Sequence, residues 1–130
     1  MEKIKKSPTL FVDIDGTLVK FRKFAELQNS VLIPIQDVID YVNDQYNLGS
    51  VIIITTARSE KYRHFTILEL HQIGIKYHQL LMDCGRGIRV VINDKDPDNP
   101  DLDRAVGINL IRNEGLNSVT NLPNITSYEL

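Results

Sequence analysis

Apolar residues fall along the chain in short continuous runs, separated by stretches in which they recur at helical spacing. "TLFVDI" at 9–14 and "SVIIIT" at 50–55 are rich in apolar and β-branched residues, the pattern of strands covered on both faces in a parallel sheet. Between them, "IQDVIDYVNDQYNLG" places Ile35, Val38, Ile39 and Val42 on one helical face, with Pro34 suited to the first turn and Gly49 to the end. A second helix is predicted over "SEKYRHFTILELHQIG", stopping at Gly74. "KYHQLLM", "IRVVIN" and "AVGINLI" are three further expected strands, and the polar stretch "NDKDPDNPDLDR" is a loop between the last two. Strands alternating with helices imply right-handed crossovers and a three-layer α/β domain, here a Rossmann-like sandwich around a central, mainly five-stranded parallel sheet. From about residue 117 the pattern weakens, and a loosely held tail is expected.

Composition narrows the picture. At 130 residues a single domain spanning 1–130 is expected, large enough for one core. A formal charge of -2 gives no basic footprint, so a nucleic-acid partner is not expected. Cys84 is the only cysteine, which rules out an intramolecular disulfide. No stretch approaches the length of a membrane span, and the expected location is the cytoplasm.

In a parallel sheet, ligands bind beyond the carboxyl ends of the strands. "DIDGT" ends the first strand, "TTARS" the second and "NDKD" the fourth. If the first strand is central, the three groups meet in one crevice. Two aspartates flanking one isoleucine at a strand end are tolerable when a divalent cation lies among them and another carboxylate.

These residues resemble three motifs of the haloacid dehalogenase superfamily of phosphatases. "FVDIDGTLV" is similar to the first motif, "VIIITTARS" to the second and "VVINDKDP" to the fourth, in the family's order and over about 10–97 of the chain. The resemblance implies a magnesium-dependent phosphomonoester hydrolase. Asp13 is then the nucleophile that forms an aspartyl-phosphate, and Asp15 the general acid and later base. Two residues along an extended chain return a side chain to the same face, which lets both carboxylates reach one phosphoryl group. Gly16 and Thr17 form the turn whose amides hold phosphate oxygens. Thr56 is the second-motif hydroxyl, followed by Ala57 and by Arg58 at the mouth of the crevice as substrate-binding positions. Magnesium is expected on Asp13, the backbone carbonyl of Asp15, Asp94 and waters, with Asn93 hydrogen-bonding a bound water.

The sequence departs from the family pattern at two motifs. The fourth has Asn93-Asp94 where relatives often carry two acids, and no lysine precedes the fourth strand as a third motif. Arg86 or Arg89 is expected to supply that charge, although arginine's planar fork does not copy lysine. Only about forty residues separate Asp13 from Thr56, and fewer lie between Arg58 and Arg86, so no cap domain is expected. A flap at about 18–34 carries Lys20 and Arg22, expected substrate contacts, with Lys23 among Phe21 and Phe24. Capless relatives act on large substrates or borrow a neighbouring subunit, so a homo-oligomer covering the open site is one expectation.

His64, His71 and His78 lack ligand spacing for zinc, and the aspartates after Asp94 lack the glycine and glutamate of a calcium loop. Arg112, which follows the fifth strand, either reaches the edge of the site or packs at the strand end, and packing is the favoured reading. A receiver-like signalling domain fits less well, because only Asp83 follows the third strand and no lysine follows the fifth. A degenerate module that binds a phosphorylated ligand or a protein partner is the alternative. The narrower resemblance to small polysaccharide-biosynthesis phosphatases suggests a sugar phosphate first and a nucleotide second.

Overall fold

The structure, a computed structural model, describes residues 5–125 and 128–129, with backbone alone at 5–6 and 128–129. In chain order its elements are β1 (Lys5–Lys6), β2 (Thr9–Asp13), α1 (Gln36–Asn47), β3 (Val51–Thr55), α2 (Arg63–Gln72), β4 (Gln79–Leu81) and β5 (Tyr128–Glu129). Strands β2, β3 and β4 form a parallel sheet in that order, while β1 and β5 pair antiparallel apart from it. The register sets Asp13 opposite Thr55, and Thr55 opposite Leu81, so the strands end level with one another. The fold is therefore α/β with a small parallel sheet, and the first three strands and both helices lie where the hydrophobic pattern places them.

The core explains why these segments hold together. Val12 and Ile14 from β2 and its exit, Ile52 and Ile54 from β3, and Val38, Ile39 and Val42 from α1 form one buried cluster with Leu18, Leu70 and Leu80. Burying a branched aliphatic side chain contributes about 1.5–3 kcal/mol, and these positions recur at period two in the strands and near period 3.6 in α1. Helix α2 is different. It buries Thr66, Glu69 and Leu70 while Ile67 and Leu68 are exposed, so its inward face is mostly polar.

The sheet departs from the expected five strands. Among the described residues only three strands pair in parallel, and the segments 88–93 and 105–111 carry no strand assignment. Ile88 is 91% exposed and Ile92 95%, so the apolar composition that predicts strands there is not matched by burial. A strand exists only as a ladder with a partner, and the backbone bonds beside these segments form no ladder. Asp96 N–H closes a local loop on the Leu102 carbonyl at 3.0 Å, and Asn113 N–H makes a single long-range bond to the Gly16 carbonyl at 2.9 Å. Consequently β2 lies at one end of the three-strand order rather than at its centre.

The expected tail, from about residue 117, is entered through a short turn. A 3-10 turn at Gly115–Ser118 packs on α1, where Leu116 N–H donates to the Asp37 carboxylate at 3.0 Å. Positions 126, 127 and 130 of that tail lie outside the described residues. Among the described residues no helix is long and apolar enough to cross a membrane.

Candidate active site

At the end of β2 the chain must turn sharply, and Gly16 allows it by adopting a φ of +85°, in the left-handed region. Gly16 N–H donates to the Val19 carbonyl at 2.7 Å, and Leu18 N–H to the Ile14 carbonyl at 2.9 Å. This tight loop leaves Asp13, Asp15, Gly16 and Thr17 around one cleft of about 190 Å³, closed on the other side by Leu110 and Arg112. That volume is below the roughly 300–1,000 Å³ that encloses a drug-sized ligand. It suits a phosphoryl-sized group, with the remainder of a substrate outside.

Asp13 is held by its own turn. The Thr17 hydroxyl donates to its Oδ2 at 3.2 Å. Desolvation by the surrounding protein atoms raises the Asp13 carboxyl above its ordinary value. Hydrogen bonds from the Ile14 backbone and Thr17 pull it back in part, and the charges of Asp15 and Arg89 act in opposite senses.

Asp15 is oriented by a buried arginine. Arg58 donates through Nε and Nη2 to the two Asp15 oxygens at 3.0 and 2.9 Å, a bidentate pair that fixes the plane of the carboxylate. The other side of Arg58 donates through Nη1 to Thr66 at 3.1 Å and to Glu69 Oε1 at 2.9 Å. Glu69 Oε1 also accepts from Arg22 Nη2 at 2.8 Å, and Arg22 Nη1 donates to the Leu27 carbonyl at 3.3 Å. Burial lowers the Arg58 guanidinium, but hydrogen bonds and charge from Asp15 and then Glu69 outweigh it and hold it above its ordinary value. A chain of ionic contacts thus runs from the flap through α2 to Asp15.

The structure gives the expected site residues unequal places. Asp13, Asp15, Gly16 and Thr17 meet in the cleft. Thr56 is fully buried behind it, its hydroxyl accepting from the Arg58 N–H at 3.1 Å across Ala57. Arg22 and Arg58, expected at the substrate, are buried in the ion-pair chain, because two carboxylates inside the fold require them there. Lys20 is exposed on the flap, whose base is closed by backbone bonds from Lys20 N–H to Ile33 and from Ile35 N–H to Leu18. Arg86 lies over the Phe24 ring at 4.7 Å, and Arg89 donates to the Gly87 carbonyl at 3.0 Å.

Asp94 and Asn93 are not brought to the cleft. Both are exposed, Asn93 donates to Asp94, and the Asp94 carboxylate pairs with Arg104, which holds it below its ordinary value. Among the described residues no three carboxylate, histidine or cysteine side chains gather as a metal would need. As arranged, Asp13 and the Asp15 backbone lie at the cleft, while Asp94, the other carboxylate of the expected magnesium set, stands outside it.

Glu69 escaped the sequence reading: it joins Arg22 and Arg58, and its only signal is a glutamate at helical spacing from Thr66 in α2. Arg112, for which packing was the favoured reading and the edge of the site the other, lines the cleft.

No protein-family description matches this chain. No curated protein matches it. Among solved structures, it is similar to a crystal structure of a target protein from Vibrio cholerae, at 22% identity and a TM-score of 0.46, covering 65% of this chain and 79% of that one.

Proposed function

We propose that the chain is a capless phosphomonoester hydrolase of the haloacid dehalogenase type that works through an aspartyl-phosphate on Asp13. The observation that carries this reading is the cleft at the end of β2, where Asp13 and Asp15 share one opening with the Gly16-Thr17 turn and a cationic side chain. An Asp13 oxygen attacks phosphorus as the bond to the leaving oxygen breaks, and Asp15 gives that oxygen a proton. Water, deprotonated by Asp15, then attacks phosphorus, the bond to Asp13 breaks, and inorganic phosphate leaves. Arg58 holds both oxygens of Asp15 in the structure, so Asp15 carries the proton on an oxygen that releases its bond to Arg58, and the remaining bond keeps the group aimed at the leaving oxygen. The substrate class is a small phosphorylated metabolite, a sugar phosphate before a nucleotide.

The reading brings a finer fold with it. Adding the apolar segments 88–93 and 105–111 to the free edge of β2 completes a Rossmann-like five-stranded sheet and carries Asp94 towards the end of β2. Magnesium dependence belongs to that arrangement. The test is phosphate release from a panel of phosphomonoesters with magnesium or with EDTA. Release with magnesium that stops with EDTA is expected, and no release from any ester by folded protein with magnesium overturns the reading.

Asp15→Asn is expected to slow the reaction by about 10²–10⁴-fold for an alkyl phosphate, the range of a lost general acid. The loss is expected to be much smaller for p-nitrophenyl phosphate, whose leaving group needs no proton. Equal losses with the two esters would remove Asp15 from the acid role.

A second reading is favoured by the pairing of Asp94 with Arg104 outside the cleft. In it the chain binds a phosphorylated ligand or partner without turnover, and the same ester panel separates the two.

A further inference from the structure

We propose that Arg112 is the phosphate-gripping cation of this cleft, the role that Arg86 or Arg89 was expected to fill. The inference rests on the reading that the cleft accepts a phosphoryl group, and not on turnover. An incoming phosphate monoester is an anion approaching two carboxylates, so a nearby cation has to compensate it. Arg58 and Arg22 are consumed by Asp15 and Glu69; Arg86 lies over Phe24 and Arg89 donates to the Gly87 carbonyl, and neither lines the cleft, although the charge of Arg89 reaches Asp13.

Arg112 is the one of these five that lines the cleft with Asp13, Asp15, Gly16 and Thr17, and unlike Arg22 and Arg58 it forms no ion pair among the described residues. Its guanidinium lies over the Phe21 ring, 4.1 Å from the centroid. Stacking uses the face of the guanidinium plane and leaves the N–H edge free to donate to phosphate oxygens.

The scaffold fixes this side chain at both neighbours. Asn113, in the left-handed region at φ 70°, donates its N–H to the Gly16 carbonyl at 2.9 Å and accepts from Phe21 N–H through Oδ1 at 2.6 Å. Ile111 N–H donates to the Ser118 hydroxyl at 3.0 Å. The aliphatic stem of Arg112 packs on Gly16 so closely that a Cβ there would sit 3.0 Å from Arg112 Cγ. Gly16 therefore serves the turn and also admits the arginine. Phe21 and Asn113 thus tie Arg112 to the base of the flap.

The experiment is titration of the full chain with inorganic phosphate by calorimetry, alongside kcat and KM for the best monoester. Wild type is compared with Arg112→Met, which keeps the stem against Gly16 and Phe21, and with Arg112→Lys, which keeps charge without the fork. Arg112→Met is expected to weaken phosphate binding and raise KM by about 10- to 100-fold, the range of a lost charged hydrogen bond, with Arg112→Lys between it and wild type. Equal melting temperatures show that packing survives. Phosphate affinity and KM unchanged in Arg112→Met overturn the proposal, as does a loss confined to Arg89→Met. If no ester is hydrolysed, the titration still decides: weaker phosphate binding in Arg112→Met supports the proposal, and no phosphate binding by wild type overturns it.

Discussion

Asp13→Asn is expected to lower phosphate release by about four to six orders of magnitude, as removal of a catalytic nucleophile does. Asparagine has the shape of aspartate and still accepts from Thr17, but its amide does not form a phosphoryl adduct that water can cleave. The fold is expected to survive. Folding raises the Asp13 carboxyl, chiefly by desolvation, so its ionised form opposes folding at pH values above the raised value. The sign is the reverse of a salt-bridged aspartate, because this group's unfavourable contribution fades as pH falls through the folded value. Asp13→Asn is therefore expected to melt no lower than wild type at neutral pH, with the gap closing in acid. Residual release within tenfold of wild type would assign the nucleophile elsewhere. A large fall in melting temperature would mean that Asp13 is a structural partner.

Glu69→Ala carries the largest expected effect on stability, a loss of about 3–5 kcal/mol. Its Oε1 is the shared acceptor of Arg22 and Arg58. Without it, two buried guanidinium groups face each other across α2 with only Asp15 to balance them. Against a typical total stability of about 5–15 kcal/mol the fold is left marginal, and urea unfolding measures this as a lower midpoint at unchanged slope. Glu69→Gln retains an acceptor and is expected to fall between alanine and wild type. Partial activity in Glu69→Gln with a displaced flap would follow, because Arg22 anchors the flap and Arg58 orients Asp15. A loss below about 1 kcal/mol for Glu69→Ala would equate the cluster with an ordinary surface ion pair.

The site divides by how locally it is encoded. Asp13, Asp15, Gly16 and Thr17 were legible as a group because five adjacent residues at one strand end bring them together, although the Asp15 carboxylate is aimed by the distant Arg58. Thr56 and Arg58 were legible as a strand terminus, but not as the buried support of Asp15. That role depends on Glu69, whose carboxylate returns from α2, eleven residues beyond Arg58. Arg112 was read as packing. Its place in the cleft depends on the latch between Asn113 and Phe21, 92 residues apart in the chain, which no local pattern announces.

For the fold, short apolar runs identified β2, β3 and β4 and helical spacing identified α1, whereas α2 was read from its place between strands and buries a mostly polar face. The same composition in 88–93 and 105–111 did not produce strands, since pairing requires a partner edge and is decided between distant segments. The sequence by itself determined the parallel α/β frame and the carboxylate pair at the end of its first long strand. Tertiary structure decided which arginines are spent inside the fold, that Asp94 pairs with Arg104, and that Arg112 faces the cleft. The physical reason is that charge compensation depends on distance in space, while the sequence records only distance along the chain.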